Sequence, residues 1–128
     1  MITVQRGAEI EDMERLAIAA DHPLALLRQF RNRSEYVYVG KVDDIPACMW
    51  GLVEPTRLSN HAYLWLLTTD LVEQHKFIFV RYSQLFIEYA LTLYEEIEGH
   101  CEISARQSQR WLRWLGAKFD GTHFRILR

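Results

Sequence analysis

The sequence predicts an α/β chain built on a mixed, mostly antiparallel sheet with helices on both faces. Three observations carry that expectation. Segments of apolar–polar alternation are interleaved with segments of helical periodicity along all 128 residues. A long helical segment, Lys76 to Ile97, separates two strand-like segments, His61–Thr68 and Cys101–Ser104. A crossover of that kind is what side-by-side parallel strands require. No repeat, low-complexity tract or interior linker interrupts the pattern, so residues 1–128 are expected to form a single domain.

Ile2 to Gln5 alternates and reads as a first strand. After Gly7 a helix begins near Glu9, with Ile10, Met13, Leu16, Ala17 and Ala20 at helical spacing. Its acidic first turn (Glu9, Glu11, Asp12) suits the positive end of the helix dipole. Asp21-His22-Pro23 breaks it, and Pro23 is tolerated at the start of a second helix running to about Asn32. Strands are expected over Glu35–Val42 and Ile45–Val53, joined by a tight turn at Asp43-Asp44. Pro55 to Asn60 reads as a loop. The run Tyr63-Leu64-Trp65-Leu66-Leu67 predicts a fourth strand buried on both faces.

On the long helix Ile78, Tyr82, Leu85, Phe86, Tyr89, Leu93 and Ile97 form an apolar stripe opposite Arg81, Gln84, Glu88, Thr92 and Glu95. The stripe predicts the core face, and Gly99 the helix stop. Ser104 and Gln107 fit a capping box opening a last helix, which Gly116 ends. Lys118–Asp120 and His123–Leu127 close the chain as a hairpin across Gly121-Thr122.

Apolar residues make up 49% and charged residues 25% of the chain, which excludes wholesale disorder. No apolar run approaches the roughly 20 residues that span a bilayer. Met1 to Arg6 lacks the basic-then-apolar pattern of a secretion signal. Cys48 and Cys101 form no C-x-x-C pair and read as reduced thiols of a protein made in the cytoplasm. The five histidines show no i, i+4 pair, so no metal site is expected. Charge is uneven: Met1–Ala105 holds 9 basic and 16 acidic residues, whereas Arg106–Arg128 holds 6 basic and 1 acidic. Arg106, Arg110 and Arg113 recur along one helical stripe beside Trp111 and Trp114, which cannot both face inward. Arg106, Arg110, Arg113 and Trp114 are therefore candidates for binding a protein, with a solvated face as the alternative. Nucleic acid is not expected, because the aromatics of that segment read as core.

The element order, the strand end Leu67-Thr68-Thr69-Asp70, and a helix closing on Leu115-Gly116-Ala117-Lys118-Phe119 resemble the GNAT superfamily of acyl-CoA N-acyltransferases. Within it the chain is most similar to the internal virion protein A family of short-tailed bacteriophages. The resemblance implies a GNAT-like sheet with a parallel, splayed pair of strands. It also implies acetyl-CoA on a glycine-rich turn before the long helix, because bare N–H groups there can approach a diphosphate. This chain has Asp70-Leu71-Val72-Glu73-Gln74-His75-Lys76 in that place, with no glycine. Gln74, His75 and Lys76 are the remaining cofactor-binding candidates, against a solvated helix entry. The family's asparagine and tyrosine fall on Ala105 and Leu112, so both polar groups are missing. Tyr63, Tyr82 and Tyr89 would substitute only from a cleft-facing position, and their spacing says core. Glu102 is the one carboxylate expected near the cleft, or else the outward member of an alternating strand.

Three functions stay open. One is a phage-encoded GNAT-fold protein with degenerate motifs and no cofactor, made in the host cytoplasm and associated with the virion or its assembly. Its partners would be phage proteins or copies of itself. The second is an active N-acetyltransferase holding acetyl-CoA in an atypical site around Gln74–Lys76. The third is a small adaptor that binds a host or phage protein through the basic C-terminal face and has no connection with the virion.

Overall fold

The computed structural model describes residues 1–56, 60–101 and 106–128. In chain order they form β1 (Ile2–Arg6), α1 (Ile10–Ala19), α2 (Leu24–Arg33), β2 (Tyr36–Val42), β3 (Ile45–Val53) and β4 (His61–Thr68). These are followed by α3 (Asp70–Gln74), α4 (Lys76–Leu93), β5 (Glu96–His100), α5 (Arg106–Trp114), β6 (Lys118–Asp120) and β7 (His123–Leu127). Among the described residues the strands make a 7-stranded sheet in the order β1-β2-β3-β4-β5-β7-β6. β4 and β5 run parallel, as the crossover predicts, while β1/β2, β2/β3, β5/β7 and β6/β7 are antiparallel. The chain divides into two compact units, residues 1–53 with 65–76 and residues 54–64 with 77–128.

In the first unit α1 and α2 pack on β3 over a core of Met13, Leu16, Leu27, Val39, Met49 and Leu52. The β2–β3 hairpin turns on Asp43 and Asp44, with φ of 49° and 67°. Two successive positive φ values suit the right-handed twist of the flanking strands. Trp65 stacks on Phe30 with centroids 5.0 Å apart and donates its indole N–H to Ser34 Oγ at 2.7 Å. A buried tryptophan thereby keeps its polar edge satisfied. Asp12, in the acidic first turn of α1, is buried, with its Oδ2 3.0 Å from Lys41 Nζ.

The double-sided burial expected of β4 does not hold. Ala62 and Trp65 are buried, Tyr63, Leu64 and Leu67 are partly open, and Leu66 is exposed. The parallel ladder with β5 joins only His61–Tyr63 to Glu96–Glu98. An apolar run alone cannot say how far its neighbour will follow it.

The second unit corrects the boundary after the long helix. α4 ends at Leu93 and not at Ile97, and β5 is Glu96–His100 and not Cys101–Ser104. Residues 102–105 lie outside the described residues, and with them the Ser104 capping box. Backbone bonds from a distance decide the switch: Glu95 N–H donates to Asn60 O and Arg128 N–H to Glu95 O. Beyond that point Glu96, Glu98 and His100 alternate with buried Ile97 and Gly99, the period of a strand. Gly99 is no helix stop. A Cβ there would lie 2.6 Å from Phe124 Cζ and 2.8 Å from Leu64 O, so the strand needs a bare backbone.

The α4 stripe is also reassigned. Phe79, Ile87 and Ala90 form the buried face, together with partly buried Ser83 and Phe86. Ile78, Tyr82, Leu85, Tyr89 and Leu93 are exposed. Helical periodicity identified a face but could not tell which of two adjacent apolar faces the fold would cover. α5 is closed by a left-handed Gly116 (φ 100°), with Ala117 N–H bonded to Leu112 O.

Candidate functional site

The turn that the GNAT resemblance assigns to a diphosphate lies at the end of β4 and is already hydrogen-bonded to its own surroundings. Thr69 donates both its N–H and its hydroxyl to Ala47 O, at 3.0 and 2.7 Å. Val72 N–H donates to Thr69 O and His75 N–H to Val72 O, winding Asp70–Gln74 into the single turn α3. Gln74 is exposed at the end of that turn, His75 is its C-cap, and Lys76 is the exposed first residue of α4. Exposed Asp70 and Glu73 place two carboxylates on the same turn. A diphosphate approaching this turn would meet both negative charges, and no glycine bares the backbone to it.

A second cluster lies on one face of the sheet in the second unit. Directly paired residues share a sheet face, so the register brings His61 and Tyr63 of β4 beside Glu96, Glu98 and His100 of β5. His123 and Arg125 of β7 join the same face. His61 Nε2 is 3.8 Å from Glu98 Oε2. The His100 ring lies 6.0 Å from that of Tyr63 and meets His123 edge-on at 5.2 Å. His100 Nδ1 is 3.4 Å from Thr122 Oγ1, and Arg125 pairs with Glu96. Burial first, and then the charge of Glu98, push the Tyr63 phenol above its ordinary range. A phenol held protonated beside a carboxylate and imidazoles can donate a proton or bind a polar group. Among the described residues no three metal-ligating side chains converge.

Glu102, the carboxylate expected near the cleft, lies outside the described residues, and β5 begins at Glu96, five positions before the expected Cys101. The available signal was the Glu96-Ile97-Glu98-Gly99-His100 alternation, masked by helical spacing that continued as far as Ile97. Tyr82 and Tyr89, expected in the core, are instead exposed on α4.

On α5 Arg106, Arg110 and Arg113 are all exposed. Arg113 also lies over the Phe119 ring, 5.0 Å from its centroid. Trp114 is 58% exposed, whereas Trp111 donates its indole N–H to Ser83 Oγ at 2.9 Å. The helix thus presents three guanidinium groups and one indole to solvent.

No family model matches the chain, and no curated protein matches it. Solved structures do. A Bacillus subtilis acetyltransferase in complex with CoA is 14% identical, with 100% of this chain and 99% of that one covered, at a TM-score of 0.75. The chain has a GNAT-like fold. A chimera of the Vibrio cholerae spermidine N-acetyltransferase SpeG superposes at a TM-score of 0.75, with 12% identity over 98% of this chain and 95% of that one. A GNAT-family acetyltransferase from Bacillus anthracis gives 0.72, with 9% identity over 98% and 94%. The GNAT-like sheet is therefore retained at identities that carry no side-chain chemistry with them. No helix among the described residues is long and apolar enough to cross a membrane.

Proposed function

We propose that this chain is a GNAT-fold protein without acyl-CoA chemistry that serves a short-tailed bacteriophage as a virion- or assembly-associated protein. The observation that supports the first half is the turn at Thr69–His75, which has no glycine, carries the Asp70 and Glu73 carboxylates, and has its Thr69, Val72 and His75 N–H groups bonded to backbone carbonyls. The phage assignment rests on the resemblance in Leu67-Thr68-Thr69-Asp70 and Leu115-Gly116-Ala117-Lys118-Phe119. Protein partners would meet the exposed Arg106, Arg110, Arg113 and Trp114 face of α5, since tryptophan and arginine are enriched at contact hot spots. Synthesis would take place in the host cytoplasm. Calorimetry with acetyl-CoA and CoA tests the loss of cofactor: no binding heat is expected, and a low-micromolar dissociation constant would overturn it. Immunodetection in purified procapsids and virions tests the location, and absence from both would refute it.

An N-acetyltransferase activity is the second reading. It is favoured by Tyr63, Glu98 and His100 sharing one sheet face. It requires acetyl-CoA to bind in an atypical site around Gln74, His75 and Lys76, and the same calorimetry decides it.

A further inference from the structure

We infer that α4 is a self-association surface, pairing antiparallel with α4 of a second copy about a two-fold axis. Ile78, Tyr82, Leu85, Tyr89 and Leu93 are 47%, 38%, 54%, 49% and 41% exposed. Their spacings of four, three, four and four residues keep them on one stripe about 22 Å long. Ile78, Tyr82, Leu85 and Tyr89 follow the alternating d and a positions of a heptad, the seam by which two helices interlock.

The flanking charges select the occupant. Arg81 and Glu88 are both exposed and lie seven residues apart, on the same flank of the seam. About 10.5 Å of helix separates them, too far for a pair within one chain. In an antiparallel dimer centred near Leu85 the Arg81 of each copy faces the Glu88 of the other, twice by symmetry. A two-fold interface must be self-complementary in this way, residue i meeting j while j meets i. In a parallel pair these two positions would instead face Phe86 and Leu93 of the other copy, which carry no charge, so only the antiparallel pairing gains the two ion pairs. Half-exposed side chains of this size offer roughly 450 Å² per copy, so the two copies approach the ~1,000 Å² of a specific but weak interface. The surface is distinct from the basic face of α5 and does not depend on what becomes of acetyl-CoA.

Sedimentation equilibrium of the full chain tests the inference. The parent should dimerise with a dissociation constant on the order of 10 µM. Leu85→Glu, at an exposed position, should leave the circular dichroism spectrum unchanged and weaken the dimer by at least about 100-fold. Arg81→Glu should weaken it by about tenfold, and the swap Arg81→Glu with Glu88→Arg should restore it. A parent that remains monomeric at about 100 µM would overturn the inference, since the stripe would then face some other partner. So would a dimer indifferent to Leu85→Glu, or one lost on Arg81→Glu and not recovered by the swap.

Discussion

Asp12 and Lys41 illustrate how a single residue changes role once its surroundings are known. Both are nearly covered, and the carboxylate and ammonium stand 3.0 Å apart. Removing one partner strands a charge in a covered site, so Asp12→Ala should cost roughly 3 kcal/mol in urea unfolding. Replacing both with apolar residues, Asp12→Leu with Lys41→Met, should recover most of that loss. Cys48 gives a prediction in pH. Burial raises its thiol from an ordinary 9.0 to about 12, so the unfolded chain releases this proton before the folded one does. The stability tied to Cys48 is whole below pH 9 and is lost as pH rises toward 12, at no more than about 1.4 kcal/mol per pH unit. Urea melts at pH 7.5 and pH 10 should show a steeper loss in the parent than in Cys48→Ala. Tyr63 should remain a phenol at alkaline pH after ordinary tyrosines have ionised. Glu98→Gln should bring its ultraviolet titration to lower pH, because one of the two causes of the shift is removed.

At the scale of the element, the close packing of β5 makes a sharp test. Gly99→Ala would press a methyl group against the Phe124 ring and the Leu64 carbonyl, and the carbonyl cannot yield as a side-chain tip can. A destabilisation of about 1–3 kcal/mol is expected from thermal or urea unfolding. The basic stripe of α5 invites a charge reversal. Arg110→Glu with Arg113→Glu should fold nearly as the parent does, losing only the stacking of Arg113 on Phe119. It should also abolish any partner contact whose strength falls with added salt. A folded double mutant that retains every assembly and infection phenotype would reduce the stripe to a solvated face.

For the whole molecule, the decisive quantity is the stabilisation that a ligand confers on the folded state. Acetyl-CoA at a hundredfold excess over its dissociation constant would add about 2.7 kcal/mol, enough to raise Tm by roughly 10 °C. A shift below about 1 °C at millimolar acetyl-CoA is expected from the closed turn at Thr69–His75. The charge is uneven, with 6 basic residues against 1 acidic beyond Ala105, so the C-terminal segment is basic on an otherwise acidic chain. Burial of Asp12 takes one carboxylate of the first helix out of that balance at the surface.

Much of this was written in the chain itself. Alternation located β2, β3, β6 and β7, and the Lys76 crossover foretold parallel β4 and β5, because side-chain period and connection length are local properties. The absence of glycine from Asp70 to Lys76 is likewise a property of the sequence alone. Other features depended on partners distant in sequence. Helical spacing runs on to Ile97 across the Glu96–His100 alternation, and the bonds made with Asn60 O and Arg128 N–H settle the change from helix to strand around Glu95. That shift brings Glu98 opposite Tyr63, while Glu102 lies outside the described residues. Two apolar faces compete on α4, and only the packing of Phe79, Ile87 and Ala90 against the fold leaves the Leu85 stripe in water. Periodicity fixes which residues share a face; which face is covered depends on tertiary contacts that no local pattern encodes.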